Sequence, residues 1–326
     1  ESPDLVKQLQ IVNTNTVEWQ DVDLPTPGLG EVLLKIDAVT TCPHWDMHMM
    51  SGEPMFPGAR VDYPLTPGQP GHEIVGNVVE VGPGVDDLHV GARVAAWRDR
   101  GNDVRLGGYA QYVPFAADSL LQVSTDLAPQ SIASLELAMC VQVTFDRLRG
   151  YDLLEGKRLA VSGMGPAGLI AVQLARAWGA DSIIAVDPVE ERRELSLQLG
   201  ANTAVEPKDG AFAEAAGGPV DASVDCAGAK ASVEFLMEHT RGAVALFGVL
   251  RDDVPYGWQQ WRSKVDILGY GTHNRDAAER ALALIEDGHL DLSTVVTHEL
   301  PLSDYAEGVE LLRTRQALKV CFLPHD

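Results

Sequence analysis

Three residues of the types that bind zinc in enzymes stand far apart along the chain. His72 lies between Gly71 and Glu73, while Cys42 is upstream and Cys140 is downstream. A catalytic zinc takes three protein ligands and keeps a fourth position for water or substrate, and two thiolates with an imidazole meet that need. Because ligands spread this widely form no local motif, their spacing alone makes the zinc site only a hypothesis.

A second candidate site is the turn Gly163-Met164-Gly165-Pro166-Ala167-Gly168. It follows the short apolar strand 158–162 and opens an amphipathic helix, which is the context that identifies a dinucleotide-binding turn. Gly163 permits the tight turn, Gly165 lets the backbone approach the pyrophosphate, and Gly168 allows close packing of the helix on the strand. Free N–H groups and the dipole at the helix N-terminus would then hold the phosphates.

An acidic residue after the next predicted strand indicates which dinucleotide fits. Asp187 stands nineteen residues beyond Gly168, close to the spacing of the acid that binds the ribose hydroxyls. Its charge would repel a 2′-phosphate, and Pro188 follows where an NADP site more often has arginine, so we expect NAD. Arg192 and Arg193 keep NADP open as the less favoured cofactor.

The elements that carry these residues change character along the chain. Residues before about 148 predict short strands and turns, with helical spacing over 131–149. From Lys157 onward, strands and helices alternate, which predicts a parallel, doubly wound sheet. The expected fold class is therefore α/β, with a β-rich domain over 1–148 that is completed by 289–326, and a Rossmann domain over 149–288.

Composition limits the partners and the location that we expect. Of 326 residues, 47 are acidic and 25 are basic, for a net charge of −22. Nucleic acids and acidic membranes bind basic surfaces, so neither is expected as a partner. No apolar run reaches the roughly 20 residues of a membrane span, and the first residues have no signal-peptide pattern. The four cysteines form no secreted-type framework, so a cytoplasmic location is expected.

Several motifs together give the chain a resemblance to one family over essentially its whole length. The pattern Gly-His-Glu-x2-Gly-x5-Gly-x2-Val, which begins at Gly71, resembles the zinc signature of the medium-chain alcohol dehydrogenases. Residues 107–110 (Gly-Gly-Tyr-Ala), 163–168 and 140–144 (Cys-Val-Gln-Val-Thr) match further segments of that family. The chain thus resembles a zinc-dependent medium-chain dehydrogenase/reductase, which implies a GroES-like catalytic domain beside the Rossmann domain.

The resemblance implies the metal ligands. Cys42, His72 and Cys140 would bind one catalytic zinc, and Glu73 would stand behind the metal as a transient or alternative ligand. Many relatives also carry a structural zinc lobe of four closely spaced cysteines, whereas residues 97–107 contain none. We therefore expect no structural zinc.

The resemblance also implies roles around the cofactor. Thr144 would lie near the nicotinamide, Asp225 would be an acidic neighbour of the cofactor, and Lys319 would be a basic residue near the pyrophosphate. The cofactor-binding residues that we expect are Thr144, Gly163, Gly165, Pro166, Ala167, Gly168, Asp187, Arg192, Asp225 and Lys319.

The sequence leaves open which residue relays the proton of the alcohol. After Cys42, the usual Gly-Ser/Thr-Asp of the family is replaced by Pro43-His44-Trp45-Asp46, which lacks the relaying hydroxyl. An ungapped comparison gives that role to His44, an imidazole with a pKa near neutrality. A one-residue insertion would instead align Asp46 and His48 with the Asp and His of the family.

The resemblance implies an NAD(P)-dependent alcohol dehydrogenase that transfers a hydride between NAD and an alcohol carbon, with zinc lowering the pKa of the hydroxyl. Apolar residues over 44–60 and 250–262 suit a wide secondary alcohol, whereas His44, Asp46 and His48 suit a polyol or a sugar-like substrate. A homodimer or homotetramer through edge strands near 245–271 is also implied. Two alternatives are a zinc-free, NADPH-dependent enone or quinone reductase and a non-catalytic dinucleotide-binding protein.

Overall fold

Residues 5–98 and 106–326 are described by the computed structural model, and they divide into two units. The first unit combines the residues up to Leu137 with Leu292–Asp326, and the second unit is Ala138–Asp291. The first division falls inside a helix, Leu135–Gly150.

The strands in chain order are β1 (Leu5–Asn13), β2 (Thr16–Asp23), β3 (Glu31–Thr40), β4 (Glu73–Val81), β5 (Arg93–Ala96), β6 (Tyr112–Ala116), β7 (Leu120–Gln122), β8 (Arg158–Ser162), β9 (Ser182–Val186), β10 (Thr203–Val205), β11 (Val220–Asp225), β12 (Thr240–Leu246), β13 (Asp266–Leu268), β14 (His298–Pro301) and β15 (Val320–Leu323). The helices are α1 (Pro43–Ser51), α2 (Leu135–Gly150), α3 (Pro166–Ala177), α4 (Glu190–Gln198), α5 (Asp209–Ala216), α6 (Lys230–His239), α7 (Trp258–Ser263), α8 (Arg275–Glu286) and α9 (Tyr305–Arg313). Within the described ranges, no helix combines the length and the apolar character that crossing a bilayer requires.

The first unit is organised by strand β3. In the larger sheet the strand order is β14-β15-β3-β4-β5-β7, with β6 also paired to β3, while β1 and β2 form a separate hairpin. Leu34 and Ile36 of β3 are fully buried and pack in one core with Ile74 of β4. Antiparallel pairing sets Thr40 opposite Glu73, so the end of β3 lies beside the start of β4.

Helix α1 lies in a segment for which the sequence predicted no helix. Cys42 is extended at the N-cap, and Pro43 follows at the first helical position, where its missing N–H is not needed. Gly52 ends the helix with a φ of 78°, a left-handed conformation that glycine adopts without strain. Only Asp46 and Met50 of the helix are buried, so there is no apolar stripe that could have predicted it.

The second unit confirms the predicted doubly wound sheet. Its six strands are all parallel, in the order β10-β9-β8-β11-β12-β13. Numbered within the unit, this is the order 3-2-1-4-5-6 of dinucleotide-binding sheets. Leu159, Ala160 and Val161 of β8 are fully buried, as expected of a central strand covered on both faces. Ligands of such sheets bind beyond the strand ends where the order reverses, here between β8 and β11.

The sequence predicted β structure for the C-terminal residues, but the structure also contains a helix there. Strand β15 pairs with β14 and with β3, but α9 precedes it. Tyr305, Val309 and Leu312 of α9 are buried, and their spacing of four and three residues is that of one helix face.

Candidate active site

Strands β3 and β4 bring a thiol, an imidazole and a carboxylate together in the first unit. Cys42 follows the end of β3, and His72 immediately precedes β4. The ligand atoms of Cys42, His72 and Glu73 all lie within 4.8 Å of one another. Gly71 is required here because a Cβ would lie 2.6 Å from the backbone nitrogen of Tyr109. Two of the expected zinc ligands therefore converge at this point.

His72 is oriented for metal binding through one defined nitrogen. The side chain is buried, and its Nδ1 lies 2.7 Å from the carbonyl oxygen of Pro70. A carbonyl oxygen can only accept, so Nδ1 carries the proton and donates it. The neutral ring then presents its lone pair from Nε2, and such an orienting bond is typical of metal-binding histidines.

The thiol of Cys42 needs a cation to become a thiolate. Burial raises the pKa of this thiol above its ordinary value, although a hydrogen bond with His72 acts in the opposite direction. A bound metal deprotonates a coordinating thiol outright. The donor set of Cys42 and His72 therefore fits zinc, which takes sulfur and nitrogen ligands.

Glu73 and Lys319 form a buried ion pair. Both side chains are fully buried, and Nζ of Lys319 lies 2.7 Å from Oε1 and 2.5 Å from Oε2 of Glu73. The hydroxyl of Thr40 donates to the same carboxylate at 3.0 Å. The ammonium of Lys319 is thus held by Glu73 inside the first unit, and the expected role of Lys319 near the pyrophosphate stays a prediction. Both oxygens of Glu73 therefore already accept hydrogen bonds, and its role as a transient or alternative metal ligand stays a prediction.

Asp46 holds the backbone of Cys42 in place at the start of α1. Its Oδ1 accepts the hydroxyls of Tyr109 and Tyr305 at 2.6 and 2.7 Å, and its Oδ2 accepts the N–H of Cys42 at 2.8 Å. Burial raises the pKa of Asp46 to about 6, although the two tyrosine hydroxyls act in the opposite direction. A carboxylate that is fully buried and bonded on both oxygens positions Cys42. The expectation of Asp46 as a catalytic proton relay is corrected accordingly.

The two other relay candidates lie on α1. His44 is exposed in the first turn of the helix, whereas Nδ1 of His48 lies 2.9 Å from the carbonyl oxygen of Glu53. His48 is therefore fixed at the helix end by a backbone contact, and His44 is the more accessible imidazole.

Helix α2 carries Cys140, which the sequence analysis named as a candidate ligand, and Glu136, which it did not name. In the second unit, Sγ of Cys140 lies 3.3 Å from Nε2 of His273. No sequence signal could connect Cys140 with His273, since 133 positions separate them. In the first unit, Oε2 of Glu136 lies 3.8 Å from Nε2 of His72. Glu136 precedes Cys140 by one helical turn, and this spacing was a signal that could have been used.

The glycine turn of the second unit has the geometry that its sequence predicted. Gly163 has a φ of 87°, and a Cβ there would lie 2.7 Å from the backbone nitrogen of Ala227. A Cβ on Gly168 would lie 1.8 Å from the carbonyl oxygen of Gly163. At Gly165, the N-cap of α3, a Cβ would meet nothing within 4 Å. The turn is therefore tightly packed at two glycines and open at the one where a pyrophosphate would approach.

Asp187 lies directly beside this turn. Its carboxylate accepts the N–H groups of Met164 and Val189 at 2.7 and 2.8 Å. Arg193 donates to the carbonyl oxygens of Asp187 and Pro188 at 2.9 Å, so this arginine supports the backbone. A carboxylate has about four acceptor positions, so two remain for ribose hydroxyls.

Two further expected residues have contrasting surroundings. Oγ1 of Thr144 is buried and has no hydrogen-bond partner in the described part of the chain, and such an orphan fits the carboxamide of a nicotinamide. Asp225 is fully buried and accepts from the N–H of Gly228 at 2.9 Å and the hydroxyl of Ser232 at 2.6 Å. Asp225 therefore shapes the turn after β11. The expectation of no structural zinc concerns the loop 97–107, which lies partly outside the described residues, so it stays a prediction.

Family models match both units of the chain. The model described as alcohol dehydrogenase GroES-like domain matches residues 28–125, and the model described as zinc-binding dehydrogenase matches residues 166–287. Together with the parallel sheet and its glycine turn, these matches define a zinc-type dehydrogenase with GroES-like and Rossmann domains. The chain belongs to the zinc-dependent medium-chain dehydrogenase/reductase family, whose members are alcohol dehydrogenase-like.

Similar proteins cover nearly the whole chain. An alcohol dehydrogenase of Geobacillus stearothermophilus is 32% identical over 306 residues, which are 83% of this chain and 86% of that protein. An L-threonine 3-dehydrogenase of Thermococcus kodakarensis is 28% identical over 345 residues, covering 94% and 95%. The structure of 2R,3R-butanediol dehydrogenase from Bacillus subtilis has a TM-score of 0.84 at 24% identity, covering 98% and 99%. The family and its relatives identify the chain as an oxidoreductase that acts on alcohols and carbonyls.

Proposed function

We propose that the chain is an NAD-linked alcohol dehydrogenase whose zinc is held by Cys42, His72 and Cys140. The observation that carries the proposal is the convergence of Cys42 and His72, with Nε2 of His72 left as the ligating nitrogen. Cys140, which lies on α2, is included because the family resemblance implies it as a ligand. Zinc held by these residues would act as a Lewis acid that polarises the oxygen of the substrate.

The residues around the metal ligands would keep them in position. Pro70 fixes the ring of His72, and Asp46 fixes the backbone of Cys42 through its N–H. The ion pair of Glu73 with Lys319 ties the start of β4 to the residue just before β15. Removal of any of these contacts would loosen a ligand, and outer contacts of this kind typically change metal affinity 10–100-fold.

NAD is supported as the cofactor by the second unit. Gly165 leaves space at the start of α3, where Pro166 and Ala167 begin the helix, and Asp187 offers a carboxylate beside the turn. That carboxylate would accept ribose hydroxyls and repel a 2′-phosphate. Thr144 would bond the nicotinamide carboxamide. Arg192, which is half-buried on α4, would border the adenosine side of the site.

His44 is the proposed proton relay, because it is the exposed imidazole nearest in sequence to Cys42. A histidine titrates near neutrality and can pass a proton to solvent. His44→Ala should then lower turnover most when the buffer concentration is low, and added imidazole should restore part of the lost turnover.

The proposed substrates are secondary alcohols, polyols and sugar-like compounds. Trp45 and Phe56 form an edge-on pair with ring centroids 5.6 Å apart close to Cys42 in sequence, which suits an apolar substrate group. One relative is named for L-threonine, so this amino acid belongs in the test set. A homodimer or homotetramer through edge strand β13 is also proposed, supported by the exposed pair Trp258 and Trp261 nearby in sequence.

The test is NAD-linked oxidation of a panel of secondary alcohols, polyols, sugars and L-threonine. The wild type should oxidise at least one compound, and His72→Ala should abolish that activity while NADH binding persists. His89→Ala is the control, because His89 lies in a turn of the first unit and outside the ligand set. Unchanged turnover in His72→Ala would contradict the zinc-dependent mechanism.

A further inference from the structure

Helix α1 carries two histidines that share one face. His44 and His48 are four positions apart, and both lie inside the helix Pro43–Ser51. Residues at this spacing are neighbours on successive turns, with Cβ atoms about 5–6 Å apart. Two histidines at this helical spacing can bind one metal ion, as they do in the zinc-binding pattern His-Glu-x-x-His.

The face that carries the two histidines is opposite the buried face of α1. The buried residues of the helix are Asp46 and Met50. At about 3.6 residues per turn, two positions along a helix lead to its other side, so Asp46 points away from both His44 and His48. The two imidazoles therefore lie on the outer face, and His44 is exposed there.

The backbone between the two histidines is held in place from both ends. The carboxylate of Asp46 accepts the hydroxyls of Tyr109 and Tyr305. In the last turn, the hydroxyl of Tyr63 donates to the carbonyl oxygen of Met49 at 2.6 Å. The helical spacing is thus fixed before any ligand binds, which lowers the ordering cost of binding.

His48 also has the orientation that is typical of a metal-binding histidine. Its Nδ1 lies 2.9 Å from the carbonyl oxygen of Glu53. A carbonyl oxygen can only accept, so Nδ1 donates and Nε2 of the neutral ring carries the lone pair. Ligating histidines commonly donate their other N–H group to a carbonyl oxygen. His72 has the same arrangement with the carbonyl oxygen of Pro70.

We propose that His44 and His48 form a second zinc site, separate from the site of Cys42 and His72. Imidazole nitrogens suit zinc, copper and nickel, whereas magnesium prefers oxygen ligands. Because the second site has fewer protein ligands than the first, its zinc is held more weakly. Desalting therefore removes this ion, and an excess of free zinc restores it.

Zinc at the second site should inhibit turnover. This consequence rests on the proposed function, in which His44 relays the proton of the alcohol. The imidazole of His44 cannot accept that proton through a nitrogen that binds a metal ion. Zinc is then required at one site of the chain and inhibitory at the other.

Equilibrium dialysis of full-length, zinc-loaded protein against buffered free zinc, followed by elemental analysis, tests the proposal. The wild type should gain about one zinc per chain beyond the catalytic ion. His44→Ala and His48→Ala should each weaken this second binding at least about tenfold, because even the loss of an outer contact changes metal affinity 10–100-fold.

Inhibition is measured for the wild type and for His48→Ala, each relative to its own rate without added zinc. His48→Ala should need at least about tenfold more zinc for the same fractional inhibition. Magnesium at the same concentrations should not inhibit either protein, because two imidazoles do not suit it.

The control is His289→Ala, which removes an exposed histidine that has no histidine four positions away. Its second zinc should bind as in the wild type, and circular dichroism establishes that each variant is folded. The proposal is overturned if the wild type gains no second zinc, or if both α1 variants bind it as tightly as the wild type. Equal inhibition by magnesium would also overturn it, because the acidic chain would then attract cations in general. A second zinc that depends on both histidines but leaves turnover unchanged supports the metal site and contradicts the relay role of His44 in the proposed function.

Discussion

The buried ion pair between Lys319 and Glu73 makes a prediction about stability that can be worked out from the structure. Lys319→Met removes the ammonium but keeps an unbranched side chain of similar length, so little cavity is created. Glu73 would then be a fully buried carboxylate with Thr40 as its hydrogen-bond donor. Breaking a buried pair by removing one partner costs about 3–5 kcal/mol, because an uncompensated charge remains. We expect a loss in this range in the free energy of unfolding.

A double variant separates the effect of the charge on stability from the effect of the packing. Glu73→Gln with Lys319→Met leaves a neutral amide whose oxygen can still accept from Thr40. The double variant should therefore recover most of the loss, with a coupling energy of at least about 2 kcal/mol.

Urea unfolding at pH 7 with excess chelator measures these free energies without a contribution from bound metal. Arg275→Met is the control, since Arg275 and Glu279 form an exposed i,i+4 pair on α8; its cost should stay within about 0.5 kcal/mol. If Lys319→Met unfolds within about 1 kcal/mol of the wild type, or if the double variant is as unstable as the single one, the account of this pair is refuted.

Three further predictions concern the second unit. Asp187→Ala should raise kcat/KM for NADP relative to NAD by about tenfold or more, equivalent to ~1.4 kcal/mol, and an unchanged ratio in steady-state kinetics would contradict the cofactor assignment. Gly168→Ala, whose Cβ would lie 1.8 Å from the carbonyl oxygen of Gly163, should lower stability by about 1–3 kcal/mol in thermal unfolding, whereas Gly165→Ala should fold normally and weaken NADH binding. Burial raises the pKa of Asp225, so the folded chain keeps this proton to higher pH than the unfolded chain, and the stability of the wild type should fall relative to Asp225→Asn as the pH rises above the unfolded pKa of about 4. Urea midpoints of the two proteins that run parallel from pH 4 to 7 would argue against that linkage.

The glycine turn was predictable because its demands are local. Gly163, Gly165 and Gly168 lie within six residues after a strand; a Cβ would clash with backbone atoms at Gly163 and Gly168, whereas the open space at Gly165 suits a pyrophosphate. The alternation of strands and helices was equally informative, since it determines a parallel sheet before any tertiary contact is known. His72 and Cys42 were found through residue type and resemblance, and β3 and β4 supply the register that joins them.

The contacts that sequence reasoning missed are non-local or lack a periodic signal. Lys319 reaches Glu73 across 246 positions, and Tyr305 reaches Asp46 across 259. Pairings of this kind depend on tertiary packing, which no short window of sequence contains. Asp46 was read as a relay because a carboxylate near a metal site has several possible roles, and only burial on all sides distinguishes a positioning role from a catalytic one.

Zinc content per chain, measured by elemental analysis of metal-stripped and zinc-reloaded protein, tests the central claim most directly. The account predicts about one zinc per chain at this site in the wild type. His72→Ala, folded by circular dichroism, should retain almost none after the same reloading and desalting. Equal zinc in the wild type and in His72→Ala, or none in the reloaded wild type, would contradict a metal centre built on Cys42 and His72.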